Sequence, residues 1–293
     1  MLLTATATPV AATPVDGTSL ARGEYLTRAG NCLSCHTREG GAPFAGGVPF
    51  ETAYGTLYST NITPDRDTGI GQWRDEEFIR AMHEGIGRQG EHLYPAFPYT
   101  AYTQMSRDDV LAIKGYLDSV KPVAYQPPDN QLQFPFGQRP VLAAWKLINF
   151  KAGRFEPDPD ADAEINRGAY LSEAVGHCGE CHTPRTLIQG LNKERHYAGA
   201  TQQGWTAWNI TSHRRGIGDW SEQKLLRYLA TGHQRGEAVA GGPMAEVVNH
   251  SLRHLTPEDI QAMVVYLKSV PAQPADVKRP EARSLANQPP AES

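Results

Sequence analysis

The chain has 293 residues, with 28 Lys and Arg against 32 Asp and Glu, a net charge of -4 and a mean hydropathy of -0.48. That balance excludes nucleic-acid binding by bulk phosphate neutralisation, and no apolar run approaches the ~20 residues of a membrane span. With 40% apolar residues, 28 Gly and 22 Pro, many turns, short elements and a core filled partly by something other than side chains are expected.

In chain order, residues 1–18 are rich in Ala, Pro and Thr and read as a disordered tail. Their opening, MLLTATATPVAA, lacks a charged n-region and is not an intact signal peptide. A helix is predicted over 19–31, capped by Ser19, running into Cys32-Leu33-Ser34-Cys35-His36. A Gly/Pro/Tyr-rich loop without periodicity follows, as far as Trp73. Helical apolar spacing then returns from Asp75 to His83, with Phe78, Ile79 and Met82 on one side. The next helix begins at Ser106, a hydroxyl cap with Asp109 three residues on, and ends near Val120.

Pro127-Pro128, Phe134-Pro135-Phe136 and Pro157–Asp160 mark a connector over 122–163. Within it, Trp145, Leu147, Ile148 and Phe150 form an amphipathic stretch that needs a surface, so the connector reads as a clamp across both flanking regions. A second helix over 164–177, capped by Asp162, leads into Cys178-Gly179-Glu180-Cys181-His182. Helical spacing recurs from Ser221 to Thr231, and a last helix starts at Thr256 with Pro257 in its first position. Residues 272–293 read as a second disordered tail.

The two cysteine segments are one motif used twice. Cys-x-x-Cys-His is the attachment signature of c-type haem. Each thiol adds to a porphyrin vinyl group, and the adjacent histidine, His36 or His182, supplies the proximal nitrogen. A redox disulfide would leave both histidines unexplained, and the distance between the pairs suits no zinc finger. The flanks repeat as well, at an offset of 145 to 150 residues. Arg22-Gly23-Glu24-Tyr25-Leu26 returns as Arg167-Gly168-Ala169-Tyr170-Leu171, Asn61-Ile62-Thr63 as Asn209-Ile210-Thr211, and the Gly-Ile-Gly-x-Trp ending at Trp73 as the one ending at Trp220. The expected fold is therefore mostly α. Two tandem cytochrome c-like haem domains, 19–121 and 164–271, have long loops and are joined by the Pro-rich connector. The expected cofactors are two covalently bound haems c, held by Cys32, Cys35, Cys178 and Cys181.

Met244, in the loop before the last helix, is the candidate sixth ligand of the second iron, with core filler as the bland alternative. A backbone carbonyl at Thr183-Pro184 is expected to orient His182. For the first iron three outcomes stay open: Met105, His92 and an open or water-bound site, taken in that order. Trp73 and Trp220 read as haem-pocket packing. Arg22, Arg167, Tyr25 and Tyr170 serve either the propionates or helix-to-loop packing. Asn61 and Asn209 are expected to satisfy backbone groups, and His177 to lie at the surface or on the propionate side.

RGEYLTRAGNCLSCHT, STNITPDRDTGIGQW, GEHLYPAFPYTAYTQMSRDDVLAIKGYL, RGAYLSEAVGHCGECHTPRT and GGPMAEVVNHSLRHLTPEDIQAMVVYL together resemble the cytochrome c subunit of membrane-bound alcohol, gluconate, fructose and aldehyde dehydrogenases. The resemblance covers roughly residues 19–271. It departs from the family in having two haem motifs where three are common, and Phe97 where YPAMPY is common. Phenylalanine has no lone pair to offer an iron. The resemblance implies an electron-transfer subunit, not itself an enzyme, that takes electrons from a catalytic dehydrogenase towards a quinone or terminal oxidase. The competing class is a dihaem enzyme, a peroxidase or a sulfur-compound dehydrogenase with an open first haem. Haem attachment to this motif takes place outside the cytoplasm in bacteria. A periplasmic location is therefore expected, or the outer face of the inner membrane, reached through a removed or replaced signal or anchor or through a partner.

Overall fold

The computed structural model describes residues 17–202, 204–234, 238–274 and 277. Two helix pairs frame it. In the first, α1 (Gly17–Ala29) crosses α5 (Arg107–Ser119); in the second, α7 (Ala163–Ala169) crosses α11 (Pro257–Ser269). The glycine of each Arg-Gly-x-Tyr-Leu repeat permits the crossing. A Cβ on Gly23 would fall 2.0 Å from the Ala112 carbonyl oxygen, and one on Gly168 1.9 Å from that of Ala262.

Each helix leads into its cysteine motif through a break in handedness. After α1, Asn31 turns left-handed at φ 52, and α2 (Cys32–His36) starts afresh. After α7 the chain makes one π-helical turn, Tyr170–Val175, then passes His177 at φ 41 into α8 (Gly179–His182). The loop after α2 is not featureless. β1 (Pro49–Thr52) and β2 (Gly55–Tyr58) form an antiparallel hairpin with Phe50 opposite Leu57, and β3 (Gln131–Leu132) of the connector pairs with β2. α3 (Asp75–Glu84) ends at Gly85, left-handed at φ 60, and the short α4 (Tyr99–Tyr102) precedes α5.

In the second half, β4 (Ala200–Gln202) pairs with β5 (Trp205–Ala207). α9 (Glu222–Thr231) is followed by the pair β6 (His233–Gln234) and β7 (Ala238–Val239), then α10 (Gly242–His250) and α11. Ser106, Ser221 and Thr256 cap α5, α9 and α11 by accepting the amide three residues on. One apolar cluster gathers Leu26, Phe78, Met82, Tyr102, Met105 and Leu117, and it borrows Ala174 and Val175 from the second half. The other gathers Leu171, Tyr197, Trp220, Leu229, Ile260 and Leu267.

The two helix pairs are joined by crossed bonds. Arg22 Nε donates to Asp109 at 2.7 Å, and Arg167 Nε and Nη2 donate to Asp259 at 2.8 and 2.7 Å. The tyrosines reach across. Tyr25 donates to Asp259 and accepts from the Thr256 amide; Tyr170 donates to Asp109 and accepts from the Ser106 amide. The two arginines therefore serve helix packing within each half, and the two tyrosines join the halves.

Three expectations change. α1 begins at Gly17, so the last two residues of the expected tail are helical and Ser19 lies inside the helix; residues 1–16 fall outside the described residues. Residues 272–274 are pinned and not free: Gln273 accepts from Asn209 and donates to Thr211, and the Pro274 carbonyl accepts from Arg195. The rest of that tail, apart from Val277, is outside the described residues. The connector helix α6 (Arg139–Asn149) keeps only part of the expected apolar face: Trp145, and Phe150 at its end, are half-buried. Leu142 and Lys146 face inward, while Leu147 and Ile148 are 87% and 73% exposed. The Lys146 ammonium decides this by donating to the Glu84 and Gly85 carbonyls at the end of α3, where a helix leaves acceptors unpaired.

Candidate functional site

The geometry starts from two imidazoles. His36 Nδ1 donates to the Thr60 carbonyl at 2.7 Å, and His182 Nδ1 donates to the Trp208 carbonyl at 2.6 Å. A carbonyl can only accept, so in each ring the proton sits on Nδ1 and the lone pair on Nε2. Neither Nε2 bonds to a protein group. Burial holds both histidines below the ordinary imidazole pKa, partly offset by these carbonyls. A neutral, oriented imidazole with a free Nε2 is what an axial iron ligand requires. The orienting carbonyl comes from the long loop after each motif and not from Thr183-Pro184. Thr183 Oγ1 instead accepts the Tyr197 amide at 3.1 Å.

The loops are fixed close to these rings. The Gly46 amide donates to the His36 carbonyl at 2.7 Å, and the Gly199 amide to that of His182 at 2.8 Å. Gly46 sits at φ 75 with the Thr60 carbonyl 2.4 Å from where a Cβ would stand, so only glycine fits that approach. Asn61 and Asn209 hold the loop ends as expected. Asn61 Nδ2 donates to the Val123 and Tyr125 carbonyls at 2.8 and 3.1 Å, and Asn209 Nδ2 to that of Gln273 at 2.8 Å.

The four thiols are unpaired, three half-buried and Cys181 exposed. Burial pushes Cys32 and Cys178 up to about 12 and Cys35 to about 11, so these stay protonated at neutral pH. No group of three or more His, Cys, Asp or Glu side chains that could hold a metal ion gathers among the described residues. Two thiols one helical turn apart beside a free Nε2 fit a haem c instead.

The methionines differ. Met244 lies in the first turn of α10, a helix where a loop was expected, and packs half-buried on the second apolar cluster, which Cys178 also borders. Met105 is fully buried in the first cluster, which Cys32 and Phe97 border. His92 has a buried Nδ1 without a partner, and burial, Lys146 and Arg139 hold its pKa down. It therefore lies beneath the connector helix. Trp220 is buried edge-on to Tyr228 and Trp73 is half-buried on the first cluster.

Several residues of the site have no signal in the sequence. Tyr102 donates to the Gly30 carbonyl at 3.2 Å. His177 is not a surface residue: its Nε2 donates to the same carbonyl at 3.3 Å, and its ring stands edge-on to Tyr102. Glu180 reaches Thr100 of the first half. Each contact joins residues about 70 or more positions apart, beyond any local pattern.

The family pattern of cytochrome c matches residues 20–121. Over 267 residues the chain is 43% identical to the gluconate 2-dehydrogenase cytochrome c subunit of Pantoea cypripedii, covering 87% of this chain and 60% of that one. It is 43% identical to the fructose dehydrogenase cytochrome subunit of Gluconobacter japonicus, covering 91% of this chain and 56% of that one. It is 38% identical to a diheme cytochrome c-type protein of Cereibacter sphaeroides, covering 86% of each. The chain thus spans somewhat over half the length of the first two relatives and most of the third.

Proposed function

The chain belongs to the cytochrome c family, and from that premise we propose that it holds two haems c and carries electrons from a catalytic dehydrogenase subunit towards a quinone or terminal oxidase. The paired imidazoles carry the reading: His36 and His182 have the same tautomer, the same loop-carbonyl partner and the same free Nε2. A haem c supplies one-electron chemistry, its iron changing oxidation state without taking up substrate when both axial positions are filled.

The chain's own residues hold and tune that group. Cys32 and Cys35 anchor one ring, in a domain over 19–121, and Cys178 and Cys181 the other, in a domain over 164–271. His36 and His182 face the irons through Nε2, and their Nδ1–H bonds to Thr60 and Trp208 raise the basicity of the ligating nitrogen. Met244 completes the second site and Met105 the first. Met105 is favoured over His92 because it lies in the apolar cluster that Cys32 borders, whereas His92 lies against the Lys146 and Arg139 cations. The apolar clusters exclude water from both rings. The chain acts outside the cytoplasm, in the periplasm or at the outer face of the inner membrane.

Pyridine haemochrome analysis is expected to give two haems per chain that survive acid–acetone extraction. The isolated protein is expected to show reversible one-electron waves, and to oxidise alcohols or aldehydes only when a dehydrogenase is added. A single or extractable haem sinks the cofactor reading. Peroxide or thiosulfate turnover by the isolated chain moves the function to the enzyme class.

A further inference from the structure

Glu180 stands between the two cysteines of the second motif and is only 9% exposed. Its Oε2 accepts from Arg185 Nη2 at 2.6 Å, and its Oε1 accepts from the hydroxyl of Thr100, on α4 of the first half. Its own carbonyl accepts from Arg185 Nη2 and from Gln202 Nε2, both at 3.0 Å. Four hydrogen bonds from three side chains thus hold one short stretch of chain. The same position in the first motif is Ser34, which is neutral and gives its hydroxyl to Asn31 at 2.7 Å. The repeat therefore differs by a buried ion pair at one haem and none at the other.

Taking such a carboxylate out of water is costly, and the motif folds around the neutral Ser34 in the first half. The pair also reaches the first half, through Thr100 on α4. We propose that the Glu180–Arg185 ion pair, tethered to Thr100, lowers the reduction potential of the second haem and sets the potential step between the two. The inference rests on the reading of two haems c.

The sign follows from position. Reduction adds an electron to the iron, and a nearby anion in a low-dielectric surrounding opposes it. Glu180 is held between the two covalent anchor points, whereas Arg185 lies beyond the motif. The net field at the second haem is therefore negative, and the Thr100 hydroxyl, by donating to the carboxylate, weakens it.

Redox potentiometry of the intact dihaem protein tests this, with the second-haem wave identified by its selective downward shift in Met244→His. Glu180→Gln keeps the size and the acceptor for Thr100, and is expected to raise the second potential, with a smaller rise at the first. Arg185→Gln and Thr100→Val are expected to lower it. Loosened packing that admits water would lower the potential in every variant, so the opposed signs separate charge from structure. The proposal is overturned if Glu180→Gln and Arg185→Gln shift the wave in the same direction, or if neither shifts it. Should Glu180→Gln fail to attach its second haem, Arg185→Gln and Thr100→Val decide alone, and an unmoved or raised potential in both overturns it. Fewer than two covalent haems in the unmodified protein would instead overturn the cofactor reading.

Discussion

At the scale of single residues, the first half presents two imidazoles with buried, unpaired ring nitrogens. His83 on α3 is 1% exposed with both ring nitrogens unpaired. Burial and the nearby Arg154 cation bring its pKa down to about 4. Its repeat counterpart, Ala230, is exposed, whereas in the first half this helix face lies towards Arg154 of the connector. His92 sits beside Lys146 and Arg139, which with burial hold its pKa down, so its neutral ring leaves it as the competing ligand. Met105 has neither constraint and is fully buried. Met105→Leu is therefore expected to remove one of two methionine-to-ferric-iron bands in the near-infrared and to lower the first potential. If both bands persist, Met105 is core alone.

At the scale of elements, Tyr25 and Tyr170 hold each helix pair to the other. Both hydroxyls bond to carboxylates, a class of hydrogen bond worth about 1.5–3 kcal/mol. Tyr25→Phe and Tyr170→Phe are each expected to cost about that much in chemical denaturation, with the double variant near the sum. A change below a few tenths of a kcal/mol in both would show that apolar packing alone joins the halves. Burial alone would raise the Asp259 carboxyl, but hydrogen bonds from Arg167 and Tyr25 more than offset it and hold the group below its ordinary 3.8. A depressed folded pKa gives stability that is present above 3.8 and is lost as the pH falls below it. Asp259→Asn is accordingly expected to be less stable at neutral pH and to lose less on acidification. An acid limb as steep as that of the unmodified protein would place the acid sensitivity elsewhere.

At the scale of the molecule, the connector touches both halves without being their only tie. Lys146 holds the end of α3, and Trp145 Nε1 donates to the Ile188 carbonyl of the second half at 2.8 Å. Further along, the Phe155 amide donates to the Gln104 carbonyl at 2.9 Å. The crossed tyrosines bypass the connector, as does Ser251 Oγ, which donates to the Ala29 carbonyl at 2.9 Å. A protease site placed in the exposed 157–160 stretch is expected to yield two fragments that co-elute in gel filtration and keep both haem waves. Fragments that elute apart would make the connector the main link.

The amino-acid sequence by itself determined what depends on neighbours within a few residues. The paired Cys-x-x-Cys-His motifs, the hydroxyl caps at Ser106, Ser221 and Thr256, and the apolar stripes of α3 and α9 belong here, because capping and amphipathicity act over one or two helical turns. The glycines of the Arg-Gly-x-Tyr-Leu repeat were visible as a repeat, but not as the places where two helices touch. Only the tertiary structure decided which carbonyl orients each imidazole, since Thr60 and Trp208 arrive from 24 and 26 residues away. The same holds for the outward turn of Leu147 and Ile148. An apolar pattern says that a face prefers burial, but the Glu84 and Gly85 carbonyls at the end of α3 gave Lys146 the stronger claim to the inner side. The crossing of Tyr25 and Tyr170, and the reach of Glu180 to Thr100, lie furthest from the sequence. They join residues 61 to 234 positions apart, and their partners exist only once both halves have folded against each other.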